Sequence, residues 1–133
     1  MRDCRDCQEC CNVYQIDSID KKPRTTCSHL NKDGCVIYET RPIECKNYEC
    51  MWIKGRGEYD DMPKLSGIMM EQRDSNLNPP TIYIATEVRK DAFKTDKGIL
   101  AMDNLSKELN SRIIMINYTQ DKVAGTHRAK GVL

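Results

Sequence analysis

The chain is short of the residues that build a large apolar interior. It has 133 residues, of which 39% are hydrophobic and 6% aromatic, with one Phe and one Trp. That supply suits one small domain, or a small domain with an appendage, and leaves a thin core. No run approaches the roughly 18 apolar residues of a membrane helix. Met1-Arg2-Asp3-Cys4 opens on charge instead of an apolar export segment, so the sequence reads as cytoplasmic. The two histidines flank no carboxylate pair, and no HExxH, P-loop, GxGxxG or nucleophile elbow occurs. General acid–base or nucleophilic catalysis therefore has no evident seat, and the reading leans away from an enzyme. Charge of one sign is also missing: 21 basic side chains against 20 acidic ones give no electrostatic pull toward nucleic acid or a membrane surface.

What the chain does have is cysteine. Eight are present, and all lie between Cys4 and Cys50. The series is Cys4-x2-Cys7-x2-Cys10-Cys11, then Cys27, Cys35, Cys45 and Cys50. Two cysteines separated by two residues can turn both sulfurs toward one ion, and here the pattern occurs twice in overlap. In a reducing compartment such a cluster signals metal ligation more than disulfides. All eight are therefore candidate metal ligands. Cys10 and Cys11 are adjacent, so their side chains diverge, and the simpler arrangement sends them to different centres or leaves one unligated. Eight thiolates divide into two tetrahedral sulfur sites, which favours two metals; four would suffice for one [4Fe–4S] cluster. Ligand softness does not choose between zinc and iron–sulfur. Dispersed ligands favour zinc, and no cysteine precedes a proline as in bacterial ferredoxins, so zinc leads and a [4Fe–4S] cluster is the alternative.

Other residues read as support. Two Zn²⁺ ions with eight thiolates carry a net charge of about −4, so nearby donors are required. Arg41 suits that role, its planar fork bonding main-chain carbonyls or thiolates. Tyr38 and Trp52 are expected to cover the metal core. His29 is expected to pack or hydrogen-bond, His127 to lie on the surface, and Met69, Met70 and Met102 to fill core.

The cysteine distribution sets the organisation: residues 1–57 as a cysteine-cluster unit closed by Gly55-Arg56-Gly57, and 58–133 as an α+β portion packed with it as one domain. In the first, Asp33-Gly34 predicts a turn before a strand fragment at Val36-Ile37-Tyr38. Arg41-Pro42 predicts the start of a helix running from Ile43 to Ile53. In the second, strands are expected over 64–73 and 81–88, with a connection between them marked by Asp74-Ser75-Asn76 and Asn78-Pro79-Pro80. A helix over 98–111 with Asp96 as cap and a strand at Ile113–Ile116 complete a β-β-α-β order. The tail after Tyr118 reads as a loose end or a partner-binding arm, with Lys122, Arg128 and Lys130 as solvated charges. The expected fold class is small α+β, with an irregular, metal-stapled N-terminal unit on a β-β-α-β portion.

These residues resemble a known family. Cys4-Arg5-Asp6-Cys7-Gln8-Glu9-Cys10-Cys11 matches the C-x2-C-x2-C-C signature of the bacterial cysteine-cluster, zinc- or iron-chelating domain proteins. Cys27-Ser28-His29-Leu30 resembles the family's C-x2-L element. Cys35-Val36-Ile37-Tyr38-Glu39-Thr40-Arg41-Pro42-Ile43-Glu44-Cys45 is similar to its C-x-I-Y-x-x-R-P-x-x-C core, and Glu49-Cys50-Met51-Trp52 to a continuation in some members. The family often has Gly after the second cysteine, where this chain has Gln8. The resemblance covers roughly residues 4 to 53 and implies thiolate ligation, with the metal left open. A flagellin lysine methylase carries a related cluster, but no methyl-donor signature occurs in this chain. The leading functional expectation is thus a zinc-binding scaffold for a protein partner. An iron–sulfur redox or radical protein comes second and a nucleic-acid-binding zinc module third.

Overall fold

The computed structural model describes residues 2, 7, 9, 15–22, 24–32, 34–43, 45, 50–74, 81–118 and 123–132. The chain divides into two compact units, Met1–Tyr48 and Glu49–Leu133. The stretch 49–57, grouped by sequence with the cysteines, thus falls in the second unit.

In the first unit the regular structure is small. Strands β1 (Leu30–Asn31) and β2 (Gly34–Cys35) form an antiparallel hairpin with Leu30 opposite Cys35. The hairpin extends one step further, since the Val36 amide donates to the His29 carbonyl at 2.8 Å. The expected strand at Val36-Ile37-Tyr38 therefore begins earlier in the chain, and Tyr38–Thr40 is a 3-10 turn. Asp33, half of the expected turn, lies outside the described residues. Ile43 and Cys45 are helical after Pro42, with the Cys45 amide on the Pro42 carbonyl at 3.0 Å, as a proline at a helix start dictates. That helix does not reach Ile53. The Cys50 backbone instead bridges antiparallel to Glu71, and residues 51–55 are turns.

The second unit is small α+β: a four-stranded sheet and one main helix. Its strands are β3 (Ile68–Asp74), β4 (Thr81–Glu87), β5 (Ile113–Ile116) and β6 (Val123–His127), in spatial order β3-β4-β5-β6. β3 and β4 pair antiparallel from Ile68↔Glu87 to Asp74↔Thr81. β4 and β5 pair parallel, with Ala85 opposite Met115. A parallel pair needs a crossover connection, and the main helix α2 (Asp96–Leu109) lies within it. The outer edge of β3 is occupied by the Cys50 bridge and by the Met51 amide, which donates to the Met70 carbonyl at 2.9 Å.

Two expectations are corrected. Lys64–Ser66 is not strand: Pro63–Ser66 form a short helix, α1, and β3 starts at Ile68. Proline at the first helical position and Gly67 in the left-handed conformation just beyond the end (φ 80°) set its limits. The tail is not a loose end either. Val123–His127 add the fourth strand through Ile113↔His127 and Ile114↔Thr126, and Ala129 and Val132 beyond it are buried.

The helix begins and ends on local chemistry. Thr95, not Asp96, is the cap, its hydroxyl accepting the Gly98 amide at 3.0 Å, and Asn110 closes the C-terminus in the left-handed region. The helix buries Ala101, Met102 and Leu105 in one cluster with Met51, Ile68, Met70, Ala85, Ala92 and Ile113. On the sheet these are the alternate residues of each strand, as a pleat requires. The opposite face carries Met69, Ile84 and Thr86, which are also buried. Met69, Met70 and Met102 thus fill core, as expected from the sequence. Among the described residues no helix is long and apolar enough to cross a membrane.

Gly98 shows how closely α2 seats. A Cβ there would lie 1.9 Å from the Ala92 carbonyl oxygen, and backbone cannot yield cheaply. Alanine is intrinsically about 1 kcal/mol better than glycine inside a helix, but overpacking costs about 1–3 kcal/mol or more. Gly98→Ala should therefore destabilise the protein in urea melts by about 1–3 kcal/mol net, against the sign that helix propensity alone predicts.

Candidate metal centre

The described residues of the first unit show little burial. Among its described residues only Ile16, Lys21 and Cys27 are buried, while Val36 and Ile43 are 60% and 63% exposed. Ile16 and Lys21 bridge each other through paired main-chain bonds of 3.0 Å around the 3-10 turn Asp17–Ile19. Neither that loop nor the two-residue hairpin supplies an apolar core.

The cysteines are placed unevenly. Cys4, Cys10 and Cys11 lie outside the described residues. Cys7, Cys27, Cys35 and Cys45 belong to the first unit and Cys50 to the second. Cys27 is buried at 7% exposure, and the other four are half-buried. Cys27 opens a turn in which its carbonyl accepts the Leu30 amide at 3.1 Å. Leu30 in turn pairs with Cys35 across the hairpin, and neither Cys27 nor Cys35 is in a disulfide. Among the described residues no three Cys, His, Asp or Glu side chains converge as a metal site. His29 is half-buried.

The planar fork of Arg41, expected to bond main-chain carbonyls or thiolates, lies over Tyr38. Its guanidinium carbon lies 4.1 Å from the centre of the Tyr38 ring, a cation–π contact. Its Nε is buried and finds no acceptor among the described residues. A buried donor left unpaired costs about 1–3 kcal/mol, so this atom is an unmet demand at the edge of the cysteine unit. Tyr38 is 37% exposed. Trp52 is buried within the second unit, its indole N–H donating to the Tyr59 carbonyl at 2.9 Å and its ring edge-on to Tyr59.

Sequence reasoning missed the polar anchors of the second unit. Glu87, 5% exposed, accepts the Phe93 amide on one oxygen at 3.0 Å and the Tyr118 amide on the other at 2.9 Å. Asp61 accepts the Glu58 amide at 2.8 Å and the Asn104 side-chain amide at 3.1 Å. His127, expected on the surface, is half-buried and 2.6 Å from the Asp103 carboxylate. Next to it the fully buried Ser106 hydroxyl donates to the Ser111 carbonyl at 2.7 Å and accepts the Ala129 amide at 3.0 Å. Asp103 and Ser106 are three residues apart on α2, hence on one face. That spacing is a weak signal, and only the return of β6 gives it meaning.

Comparison of the chain with family models, with curated proteins and with solved structures gives no match.

Asp103 and His127 join α2 to β6, and neither side chain is fully exposed. A double-mutant cycle with Asp103→Asn and His127→Gln should return a coupling of about 0.5–1.5 kcal/mol in urea melts. A coupling near zero would mean that this contact adds nothing to the docking of the last strand.

Proposed function

We propose that this protein binds zinc through cysteine thiolates of its first fifty residues, and that the metal holds this segment in shape as a scaffold for a protein partner. The ligands are drawn from Cys4, Cys7, Cys10, Cys11, Cys27, Cys35, Cys45 and Cys50, enough for two tetrahedral sulfur sites. The observation that carries the reading is the disparity between the units. The second has a continuous apolar cluster, whereas among the described residues of the first only Ile16, Lys21 and Cys27 are buried. Most of the cysteines lie in the unit whose described residues show little burial, and ligation energy is folding energy where burial is insufficient.

The donor chemistry fits zinc. Cys27 and Cys35 are free of disulfides, Cys35 lies in a hairpin strand and Cys27 in the turn that leads into that hairpin, and sulfur is a preferred ligand for this ion. A bound zinc ion would supply charge and tetrahedral geometry. The chain supplies the ligating atoms and the turns at Cys27–Leu30 and Pro42–Cys45 that present them. In this reading the protein is a non-enzymatic, cytoplasmic metal-binding module of the cysteine-cluster kind, which engages its partner through the surface of the stapled segment.

Elemental analysis of anaerobically purified protein, followed by hydrogen exchange during chelation, tests this. Zinc should be present, and its removal should abolish amide protection at Val36 and Cys45 while the amides of α2 and the sheet stay protected. Protection at Val36 and Cys45 that survives metal removal would overturn the scaffold role. A brown protein carrying iron and sulfide would replace zinc with a cluster.

A further inference from the structure

We propose that the outer edge of β6 is a docking surface for an extended acidic segment of another protein, which adds as a further strand and brings carboxylates to the end occupied by Arg112 and Arg128. Every residue involved belongs to the second unit, so the proposal stands apart from the metal-binding reading. The edge of β3 is occupied by the Cys50 bridge and the Met51 amide. On β6, among the described residues, β5 is the only main-chain partner, so the N–H and C=O groups of its far side are unpaired. A row of that kind is a template for a further strand. It is open to solvent as well: Val123 is 66% exposed, and Ala124, Gly125 and Thr126 are exposed. The usual guards of an edge are missing. Val123-Ala124-Gly125-Thr126-His127 contain no proline, lysine, arginine or carboxylate. The one irregularity of the pairing falls at the Val123 end, and Gly125, Thr126 and His127 keep regular register with Met115, Ile114 and Ile113. A Cβ at Gly125 would meet nothing within 4 Å, which leaves room there for a side chain of an incoming neighbour.

Charge identifies the partner. Arg112 precedes Ile113 and Arg128 follows His127, so the Ile113↔His127 pair sets both arginines at one end of β5 and β6. The bond from the Ala129 amide to the Ser106 hydroxyl draws their chain neighbours Lys130 and Lys107 toward the same end. All four are exposed, and among the described residues none is in an ion pair. The carboxylates in the second half of α2 are already engaged, Asp103 with His127 and Glu108 with Arg56 and the Gly57 amide. Like charges on neighbouring strands repel, and an acidic segment relieves that repulsion. A second copy of this chain does not, because β6 carries no carboxylate of its own. Antiparallel addition is the more stable kind, and it lays the N-terminal end of the segment beside Arg128.

The test is fluorescence anisotropy of the full-length protein with a labelled peptide of alternating valine and threonine, led by two glutamates at its N-terminus. The protein should bind it with an affinity that falls as salt rises, and hydrogen exchange at the outward amides of β6 should slow. Arg112→Gln combined with Arg128→Gln should weaken binding about tenfold. Thermal stability of that variant should hold or rise, since the like charges are gone, which separates lost binding from lost folding. The same peptide N-methylated along its pairing edge keeps its charge and should not bind. Equal binding of the N-methylated peptide, or of a heparin fragment, with no slowed exchange at β6 would overturn the proposal in favour of simple anion attraction. Absence of binding at millimolar peptide would overturn it as well. So would a concentration-dependent dimer that protects the β6 amides without peptide, which would assign the edge to a second copy.

Discussion

Burial is unequally distributed along this chain, and the consequences run through both units. A polypeptide segment holds a shape only when some favourable term offsets roughly 1–2 kcal/mol of backbone entropy per ordered residue. Residues Glu49–Leu133 meet that requirement with a cluster in which Ala85, Ala101 and Ile113 are wholly enclosed. In Met1–Tyr48 the buried apolar side chains among the described residues are Ile16 and Cys27. The eight cysteines concentrated toward that end are the other resource the chain possesses.

In the second unit, buried polar groups complement the apolar ones. Glu87 and Ser106 accept main-chain amides of distant segments, those of Tyr118 and Ala129, and Asp61 accepts the nearby Glu58 amide and the Asn104 side-chain amide. Glu87 fastens the segment after β4 and the exit of β5, while Ser106 fastens the chain beyond β6 to α2. Such groups are enclosed and hydrogen-bonded, which is the condition under which burial of a polar atom is tolerated. They occur where β-strands leave the sheet, so they determine the path of loops more than the stability of the core.

Electrostatics at the other end runs differently. In the proposed metal centre the thiolates would stay anionic even with two zinc ions bound, so neighbouring donors would be needed. The buried Nε–H of Arg41, beside the Tyr38 ring, finds no acceptor among the described residues of a unit whose described carboxylates are mostly exposed. The near-balance of 21 basic and 20 acidic side chains gives no long-range steering, which turns attention to these local arrangements.

The amino-acid order alone determined the elements with strong periodicity: the hydrophobic stripe of α2, the alternation in β4 and the apolar run of β5. It also located the cysteines in one segment, because spacing is a property of the chain and not of its folding. Tertiary structure decided the rest. Lys64–Ser66 are helical because Pro63 and Gly67 frame them. Val123–His127 are strand because β5 offers an unpaired edge to a sequence with little strand character of its own. His127 gained a partner only when that pairing carried it to Asp103. Cys50 lies on the edge of β3 because its backbone found Glu71, about twenty residues away. Local periodicity is written in neighbouring residues, whereas edges, bridges and buried polar contacts join positions far apart in sequence, and no window along the chain contains both partners.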